Sequence, residues 1–307
     1  MAEAACLACG SADLGVWARA RDVEYRSVPE EYRYLSCGDC RALSIDPVPR
    51  DRLGEIYPAD YYSFGGGTGS PVEKVKKWLD RRMFKRLFAA VPGESLSALD
   101  VGGGSGWLLS EARAAEPRLR RTAVVDIDPG ARERAEAAGH EFHLCRVEDF
   151  RTDARFDVIF LLNLIEHVDD PVAVLQRMRA LLAPGGRILV KTPNHDSWDA
   201  RLFRNNSWGG FHCPRHWVIF TPESFERAAR AAGLRVDRLE LTQGAPFWAV
   251  SILEWMQRKG LARTAPGRPL YKHALFGPLL GLSAAFDILR RPFARTSQMF
   301  VELIPAG

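Results

Sequence analysis

"SALDVGGGSGWLLSEA" occupies residues 97–112 of this 307-residue chain and places four glycines (Gly102, Gly103, Gly104 and Gly106) between a short apolar run and a helix-like segment. Glycine is the residue that adopts positive φ, or lets the backbone approach a bulky group, at little cost. The stretch therefore predicts a strand, a tight turn and a helix, with a ligand close to the turn.

Strand and helix patterns alternate from this stretch onward. The apolar runs are "ALDVGG", "TAVVDID", "EFHLC", "FDVIFLLN" and "GRILVKTP", and the helix-like segments include "WLLSEARAA", "GARERAEAAG" and "DPVAVLQRMRALLAP". Such alternation is typical of a parallel sheet with helices on both faces. Ligands of these sheets bind at the carboxyl ends of the strands. The glycines follow the first strand of the series, so they belong to the predicted site.

Two common glycine-rich loops do not fit. A P-loop has G-x-x-x-x-G-K-[ST], and no Lys follows the glycines here. A dinucleotide fingerprint has G-x-G-x-x-G, and counting from Gly102 and Gly104 puts Trp107 at the third glycine, where helix and strand pack closely. The remaining pattern is Asp100-x-Gly102-x-Gly104-x-Gly106.

This pattern resembles motif I of the class I S-adenosylmethionine-dependent methyltransferases. "AVVDIDP", "LIEHVDDP", "LLAPGGRILV" and "FTPESFERAARAAGLRVDRLE" are similar to later blocks of that family, so the resemblance covers about residues 95–243. It implies an α/β fold: a Rossmann-like, doubly wound, seven-stranded methyltransferase sheet, with "FVELIP" as its antiparallel seventh strand. It also implies the cofactor S-adenosylmethionine.

The resemblance implies specific cofactor contacts. Asp126 would accept the ribose hydroxyls, with Asp128 as the alternative acceptor or a helix cap, and the glycine loop would lie beneath the amino-acid moiety. The implied cofactor-binding residues are Asp100, Gly102, Gly104, Gly106, Asp126, Ile127, Glu148 and Asn163. The chain departs from the family at the acid that often meets the adenine amine, because Arg146 stands there. Glu148, Asp149 or a backbone carbonyl would have to replace it.

Four of the six cysteines form two C-x2-C pairs, Cys6 with Cys9 and Cys37 with Cys40. Two such pairs complete a tetrahedral four-thiolate zinc site, which is closed and structural. A redox dithiol is the alternative. "VWARARDVEYRSV" and "YRYLSC" between the pairs predict the strands of a hairpin. The pattern predicts a zinc-ribbon module with its connecting segment at 1–64, a linker "GGGTGSP" and a methyltransferase domain at 71–307. The ribbon also resembles that of a bacterial methyltransferase subgroup acting in glycan and natural-product pathways.

Histidines near the strand ends are the candidate bases for methyl transfer to oxygen or nitrogen. His216 is the first choice and His212 the second, because both lie in a long aromatic loop after the fifth strand. His167, in "NLIEHV" after the fourth strand, is the third. A structural role for His167 and a metal site at His212-Cys213-x-x-His216 remain open. The aromatic residues of the loop predict a lid and pocket wall.

The segment before "FVELIP" predicts a helical cap insertion at 246–298. It holds eight basic residues (Lys and Arg together) but only two acidic ones, Glu254 and Asp287. A cap over the pocket with dimer contacts is one interpretation. A basic, apolar surface for a lipid-linked acceptor or the membrane interface is the other, and an amphipathic basic helix at 72–91 would add to it.

Composition limits the function. Net charge is +4 and the pI about 8.8, too mild to indicate a nucleic-acid partner. With no signal peptide or spanning segment evident, we expect a cytoplasmic protein. The expected activity is O-methylation of a sugar, glycolipid or secondary-metabolite hydroxyl, with a small-molecule or glycan acceptor. The alternatives are C-methylation of a nucleotide-linked keto sugar, and a nucleic-acid-binding ribbon protein with a vestigial cofactor fold.

Overall fold

The computed structural model describes residues 5–57, 81–205, 208–265 and 268–307. Its larger sheet has seven strands: β4 (Leu96–Val101), β5 (Leu119–Asp126), β6 (Glu141–Leu144), β7 (Phe156–Leu162), β8 (Leu182–Pro193), β10 (Leu234–Thr242) and β11 (Gln298–Pro305). Their order is β10-β11-β8-β7-β4-β5-β6. β4 to β8 run parallel, and β11 is antiparallel to both neighbours. The predicted seven-stranded sheet with an antiparallel last strand is confirmed.

Helices cover both faces of this sheet. The helices of the described residues are α1 (Leu53–Ile56), α2 (residues 81–89), α3 (Trp107–Ala115), α4 (Pro129–Ala137), α5 (Pro171–Ala180), α6 (Trp198–Phe203), α7 (Pro222–Ala231), α8 (Ala245–Arg258) and α9 (Phe276–Arg290). Short 3₁₀ turns lie at Arg50–Arg52, Ile165–His167, Gly209–Phe211 and Leu270–Lys272. Two separate hydrophobic clusters, one on each side, bury alternate residues of the central strands. This two-faced burial is why those strands read as continuous apolar runs.

A second, antiparallel sheet has the order β1-β2-β3-β9, with β1 at Leu14–Arg21, β2 at Glu31–Cys37, β3 at Leu43–Asp46 and β9 at Val218–Ile219. The predicted hairpin is present, but β1 ends at Arg21 rather than extending to Val28. The reason is Asp22, whose carboxylate accepts hydrogen bonds from the amides of Tyr25 and Ser27 at 3.0 and 2.9 Å and folds the chain into a turn.

β9 comes from the loop that carries the predicted catalytic histidines. Leu43 and Ser44 of β3 pair with Ile219 and Val218 of β9, and the amide of Ile45 donates to the carbonyl of Trp217 at 2.8 Å. The N-terminal sheet is therefore continuous with the histidine loop.

The insertion before β11 is helical, as predicted, and consists mainly of α8 and α9, which pack on each other. No helix within the described ranges is long and apolar enough to cross a membrane. The predicted linker 65–71 and most of the predicted helix 72–91 lie outside the described residues. Residues 81–89 are helical.

Candidate active site

The glycine turn joins β4 to α3 in the conformation that its sequence predicts. Gly102, Gly104 and Gly106 all have positive φ, and Gly104 donates its amide to Oδ2 of Asp126 at 2.8 Å. A Cβ on Gly106 would lie 2.4 Å from the ring of His140. His140 is held in turn by the hydroxyls of Ser110 and Thr122, at 2.9 and 2.8 Å. A side chain at position 106 would disturb this support.

Two carboxylates flank the turn. Asp126 ends β5 and accepts amide hydrogen bonds from Gly104 and Asp128 through its two oxygens. Asp100 is buried on β4. Burial, assisted by the charge of Asp126, raises the pKa of Asp100 to about 7; burial also raises the pKa of Asp126. A cationic group placed beside such a pair would favour the ionised form of both carboxyls. Asp128, the alternative ribose acceptor, caps α4 by accepting the amide of Gly130 at 2.8 Å.

The cleft beside this turn encloses about 840 Å³ of empty space, including its open mouth. Its walls come from the carboxyl ends of β4 to β7 and from α1. The lining residues include Gly102, Asp126, Ile127, Arg146, Val147, Glu148, Asn163, Leu164, His167 and Tyr57. Five of the predicted cofactor residues (Gly102, Asp126, Ile127, Glu148 and Asn163) thus share one cleft. Arg146 is among them too, and its guanidinium holds the Glu148 carboxylate at 3.1 and 3.2 Å.

Asn163 stands where β7 ends, with a left-handed φ of 55°. Asparagine tolerates this region better than most residues. The backbone amide of Asn163 donates to the carbonyl of Lys191 at 2.8 Å. Its side-chain Oδ1 accepts from Nε2 of Gln298 at 3.0 Å. Gln298, the first residue of β11, therefore holds the side chain of Asn163, which lines the cleft.

The three predicted catalytic histidines lie together although 49 positions separate the first from the last. Ring centroids are 4.8 Å apart for His167 and His216, 5.0 Å for His212 and His216, and 6.4 Å for His167 and His212. Of the three, only His167 is among the residues that line the cleft. His212 and His216 are buried behind it.

Each of these imidazoles is anchored through Nδ1. His167 Nδ1 lies 2.9 Å from the carbonyl of Arg215 and 2.9 Å from the Tyr57 hydroxyl. His216 Nδ1 donates to the carbonyl of Gly210 at 2.8 Å. A carbonyl only accepts, so Nδ1 carries the proton and Nε2 the lone pair in both. Burial, with the neighbouring histidines, lowers the pKa of His167 to about 3 and that of His216 well below its ordinary value.

Glu166 is a member of this cluster that sequence patterns do not single out. It is fully buried, and neither carboxylate oxygen has a hydrogen-bond partner among the described residues. Burial raises its pKa to about 8. Its Oε1 lies 4.0 Å from Nε2 of His216. The only sequence signal is its place before His167 in "IEH". The donor atoms of Glu166, His167 and His216 lie within 4.8 Å of one another, close enough to hold a cation.

Residues of the N-terminal module complete the histidine cluster. Glu24 contacts Nδ1 of His212 at 2.5 Å, and Asp22 forms a fully buried ion pair with Arg215 at 2.8 Å. Tyr34 donates its hydroxyl toward the carbonyls of Phe211 and His216, at 3.0 and 2.9 Å. The module thus shapes the loop beside the cleft.

The four predicted zinc ligands also come together. Sγ of Cys6 lies 3.6 Å from that of Cys40, and Sγ of Cys9 lies 3.6 Å from that of Cys37. All four sulfurs lie within 4.8 Å of one another, and none forms a disulfide. In a tetrahedral site with Zn–S bonds of about 2.3 Å, sulfurs are roughly 3.8 Å apart. The spacing fits a four-thiolate metal site.

The fold and the cleft define an S-adenosylmethionine-dependent methyltransferase. A family described as a methyltransferase domain matches residues 72–239, and the chain belongs to this family.

Among curated proteins, the chain is 33% identical over 177 residues to a ubiquinone biosynthesis O-methyltransferase of Cereibacter sphaeroides, covering 54% of this chain and 71% of that protein. It is 37% identical over 108 residues to the enzyme of the same description from Azotobacter vinelandii, covering 32% and 44%.

Solved structures share the fold at low sequence identity. A coclaurine N-methyltransferase bound to N-methylheliamine and SAH aligns with a TM-score of 0.52 at 12% identity, covering 84% of this chain and 82% of that one. The plantazolicin methyltransferase BamL, in complex with a triazolic desmethylPZN analog and SAH, aligns with a TM-score of 0.50 at 14% identity, covering 77% of this chain and 88% of that one.

Proposed function

We propose that the enzyme transfers the methyl group of S-adenosylmethionine to a hydroxyl oxygen of a small acceptor, such as a sugar, a glycolipid or a secondary metabolite. The description of the curated relatives as O-methyltransferases supports oxygen as the acceptor atom. The observation that carries the proposal is a neutral histidine, His167, in the wall of the cofactor cleft.

The cofactor assignment follows from the charges of the cleft. Asp126 would accept hydrogen bonds from the ribose hydroxyls, and Ile127 and Val147 would line the adenine site. Asp100, the buried carboxyl whose raised pKa a cation would lower, would hold the methionine ammonium. Glu148, paired with Arg146, is the acid available to the adenine amine.

Methyl transfer from a sulfonium is an in-line displacement, so the protein mainly orients the reactants and excludes water. The oxygen–carbon bond forms as the carbon–sulfur bond breaks, and the hydroxyl proton leaves to a base. We assign this role to Nε2 of His167, because Nδ1 is held by the Arg215 carbonyl. His216 ranks first from sequence, but it lies behind His167 together with His212. Glu166 is assigned to stabilise the charge that His167 acquires, whereas His212 and His216 hold the loop behind it through their contacts with Glu24 and Gly210.

The low pKa of His167 has two consequences for this proton transfer. A neutral imidazole is available as a base throughout the neutral pH range, but its conjugate acid is unstable in a buried site. Glu166 stabilises this cation in molecules in which its carboxyl is already ionised, because its carboxylate lies within 4.8 Å of ring nitrogens of His167 and His216. Its pKa of about 8 means that this ionised fraction grows as the pH rises toward that value.

We also propose that Cys6, Cys9, Cys37 and Cys40 hold a structural Zn²⁺. The sulfur spacing supports it, as do the amides of Cys40 and Ala42, each 3.5 Å from a sulfur and able to stabilise thiolates. The ion would supply no chemistry to methyl transfer. Its role would be to fix the sheet on which β9 and the histidine loop rest.

The test is transfer of a ¹³C-labelled methyl group from the cofactor to a panel of sugars, glycolipids and phenols, with the product followed by NMR. We expect the label on oxygen. His167→Ala should lower kcat by about 10²–10⁴-fold while cofactor affinity stays unchanged. His143→Ala, which removes a partly buried histidine on β6 outside the cleft, is the matched control and should keep its rate. Label on carbon would overturn the assignment to O-methylation. An unaltered rate in His167→Ala would show that His167 is not the base.

A further inference from the structure

The second half of helix α9 buries polar residues and exposes apolar ones, whereas Phe276 and Leu279 of its first half pack on the core. Its buried residues are Ser283, Asp287 and Arg290, each about one helical turn after the one before. On the opposite side, Leu282 is 71% exposed and Leu289 75% exposed, and Phe293, just beyond the helix, is 89% exposed. Phe286 and Ile288 are exposed as well. We call Leu282, Phe286, Ile288, Leu289 and Phe293 the α9 face.

The orientation of α9 is fixed by hydrogen bonds. Asp287 accepts from the amide of Gly244 at 2.7 Å and from Nε1 of Trp248 at 3.1 Å. Arg290 donates to Asp287 at 2.7 Å and lies 3.5 Å from Asp199 of α6. Rotating the helix to bury its apolar side would leave these charges without partners, at a large cost. The exposure of the α9 face is therefore built into the fold.

Single exposed apolar residues are ordinary, but a contiguous patch indicates an interaction surface. Apolar residues of adjoining segments are exposed too, namely Trp255 on α8, Leu261 after it and Leu275 before α9.

Charge indicates what covers this patch. The insertion exposes the cationic side chains of Lys259, Arg263, Arg268, Lys272 and Arg291, whereas of its two acids Asp287 is buried and Glu254 is half-buried. A second copy of the chain would set cations against cations across the interface. An anionic lipid surface matches both the charge and the apolar side chains.

We propose that the α9 face lies on an anionic membrane surface, with Leu289 and Phe293 inserted at the boundary between headgroups and acyl chains. α9 lies on the surface and does not span it. This inference deepens the proposed function, on which it rests: it assigns the acceptor to amphiphilic molecules held at that surface.

The surface is connected to the active site. Asp199, beside Arg290, accepts from Nε1 of Trp208 at 2.9 Å, and Ser251 of α8 accepts from the amide of Gly209 at 2.8 Å. Trp208 and Gly209 begin the loop that leads to His212 and His216. The membrane-facing insertion thus holds the loop beside the cleft.

The test is sedimentation of the full chain with phosphatidylglycerol-containing vesicles and with phosphatidylcholine vesicles. We expect binding to the anionic vesicles that weakens as salt is raised. The double variant Leu289→Ser, Phe293→Ser should lower the partition coefficient at least about tenfold. Val16→Ser, which changes an exposed apolar residue on β1, is the control and should bind as the wild type.

Three results overturn the inference: no binding of the wild type to anionic vesicles, equal binding by the double variant, or a dimer in solution that the double variant dissociates. The proposed function is judged separately, because the double variant should keep its cofactor affinity and its rate on a water-soluble acceptor. Loss of methyl transfer to every acceptor by the wild type would instead reject the proposed function, whatever the vesicles show.

Discussion

At the scale of single residues, Asp100 links cofactor binding to pH. Its folded pKa of about 7 lies far above that of an exposed aspartate, mainly because of burial. A cationic ligand group beside it favours the ionised form. Below about pH 7 the carboxyl must therefore lose a proton when the cofactor binds, whereas above this pH it is already ionised.

We predict that cofactor affinity rises with pH up to about pH 7, by at most tenfold per pH unit, and is flat above it. Calorimetric titration between about pH 6 and pH 8, in buffers of different ionisation enthalpy, measures both the affinity and the released proton. Asp100→Asn should bind more weakly above pH 7 and lose the pH dependence. A wild-type affinity that falls as pH rises would contradict the placement of the ammonium group.

The sequence predicts the residues on the glycine turn well and those of the histidine cluster only in part. Asp126 and Gly102 are predictable because each lies at the carboxyl end of a strand with a clear apolar pattern, Gly102 directly after β4 and Asp126 at the end of β5. His167, His212 and His216 are individually recognisable, but their contact depends on how a long loop folds back. Glu166 and Glu24 have no such signal, because their role arises from burial and from partners far away in the chain.

At the scale of elements, strand β9 joins the N-terminal module to the active site, because it pairs with β3 and directly follows the histidine loop. It has two residues, too few for a periodic signal, and its partner β3 is some 170 positions earlier. The spacing of apolar residues in α9 does predict a helix, but it does not tell which side of that helix is buried. Asp287 and Arg290 decide this through partners on α6 and α8.

We predict that Cys37→Ser removes about one zinc per chain and lowers the unfolding temperature, because the thiolate site stabilises the sheet that carries β9. Metal analysis and thermal unfolding measure the two effects. Cys145→Ser, which changes a cysteine outside the cluster, should keep its zinc. Wild-type protein without zinc would favour a redox dithiol. A second zinc, lost in Glu166→Gln, would make the histidine cluster a metal site and contradict His167 as the base.

At the scale of the whole molecule, the cleft lies where three parts of the chain meet. The sheet supplies Asp126 and the glycine turn, the insertion leads through Gln298 to Asn163, and the N-terminal module anchors the histidine loop through Glu24 and Tyr34. Alternating strand and helix patterns predict the sheet because each strand and each helix is formed by residues that are consecutive in the sequence. The joining of the three parts rests on contacts between residues far apart in sequence, and no local pattern encodes them.

The most direct test of the account is calorimetric titration of S-adenosylmethionine into the wild type, Asp126→Ala and Asp128→Ala. We predict one site per chain in the wild type. Asp126→Ala removes two charge-assisted hydrogen bonds, each worth roughly 1.5–3 kcal/mol, so its affinity should fall about a hundredfold or more. Asp128→Ala changes only the cap of α4 and should bind nearly as the wild type does. Equal affinities for Asp126→Ala and the wild type, or no binding by the wild type, would contradict the account.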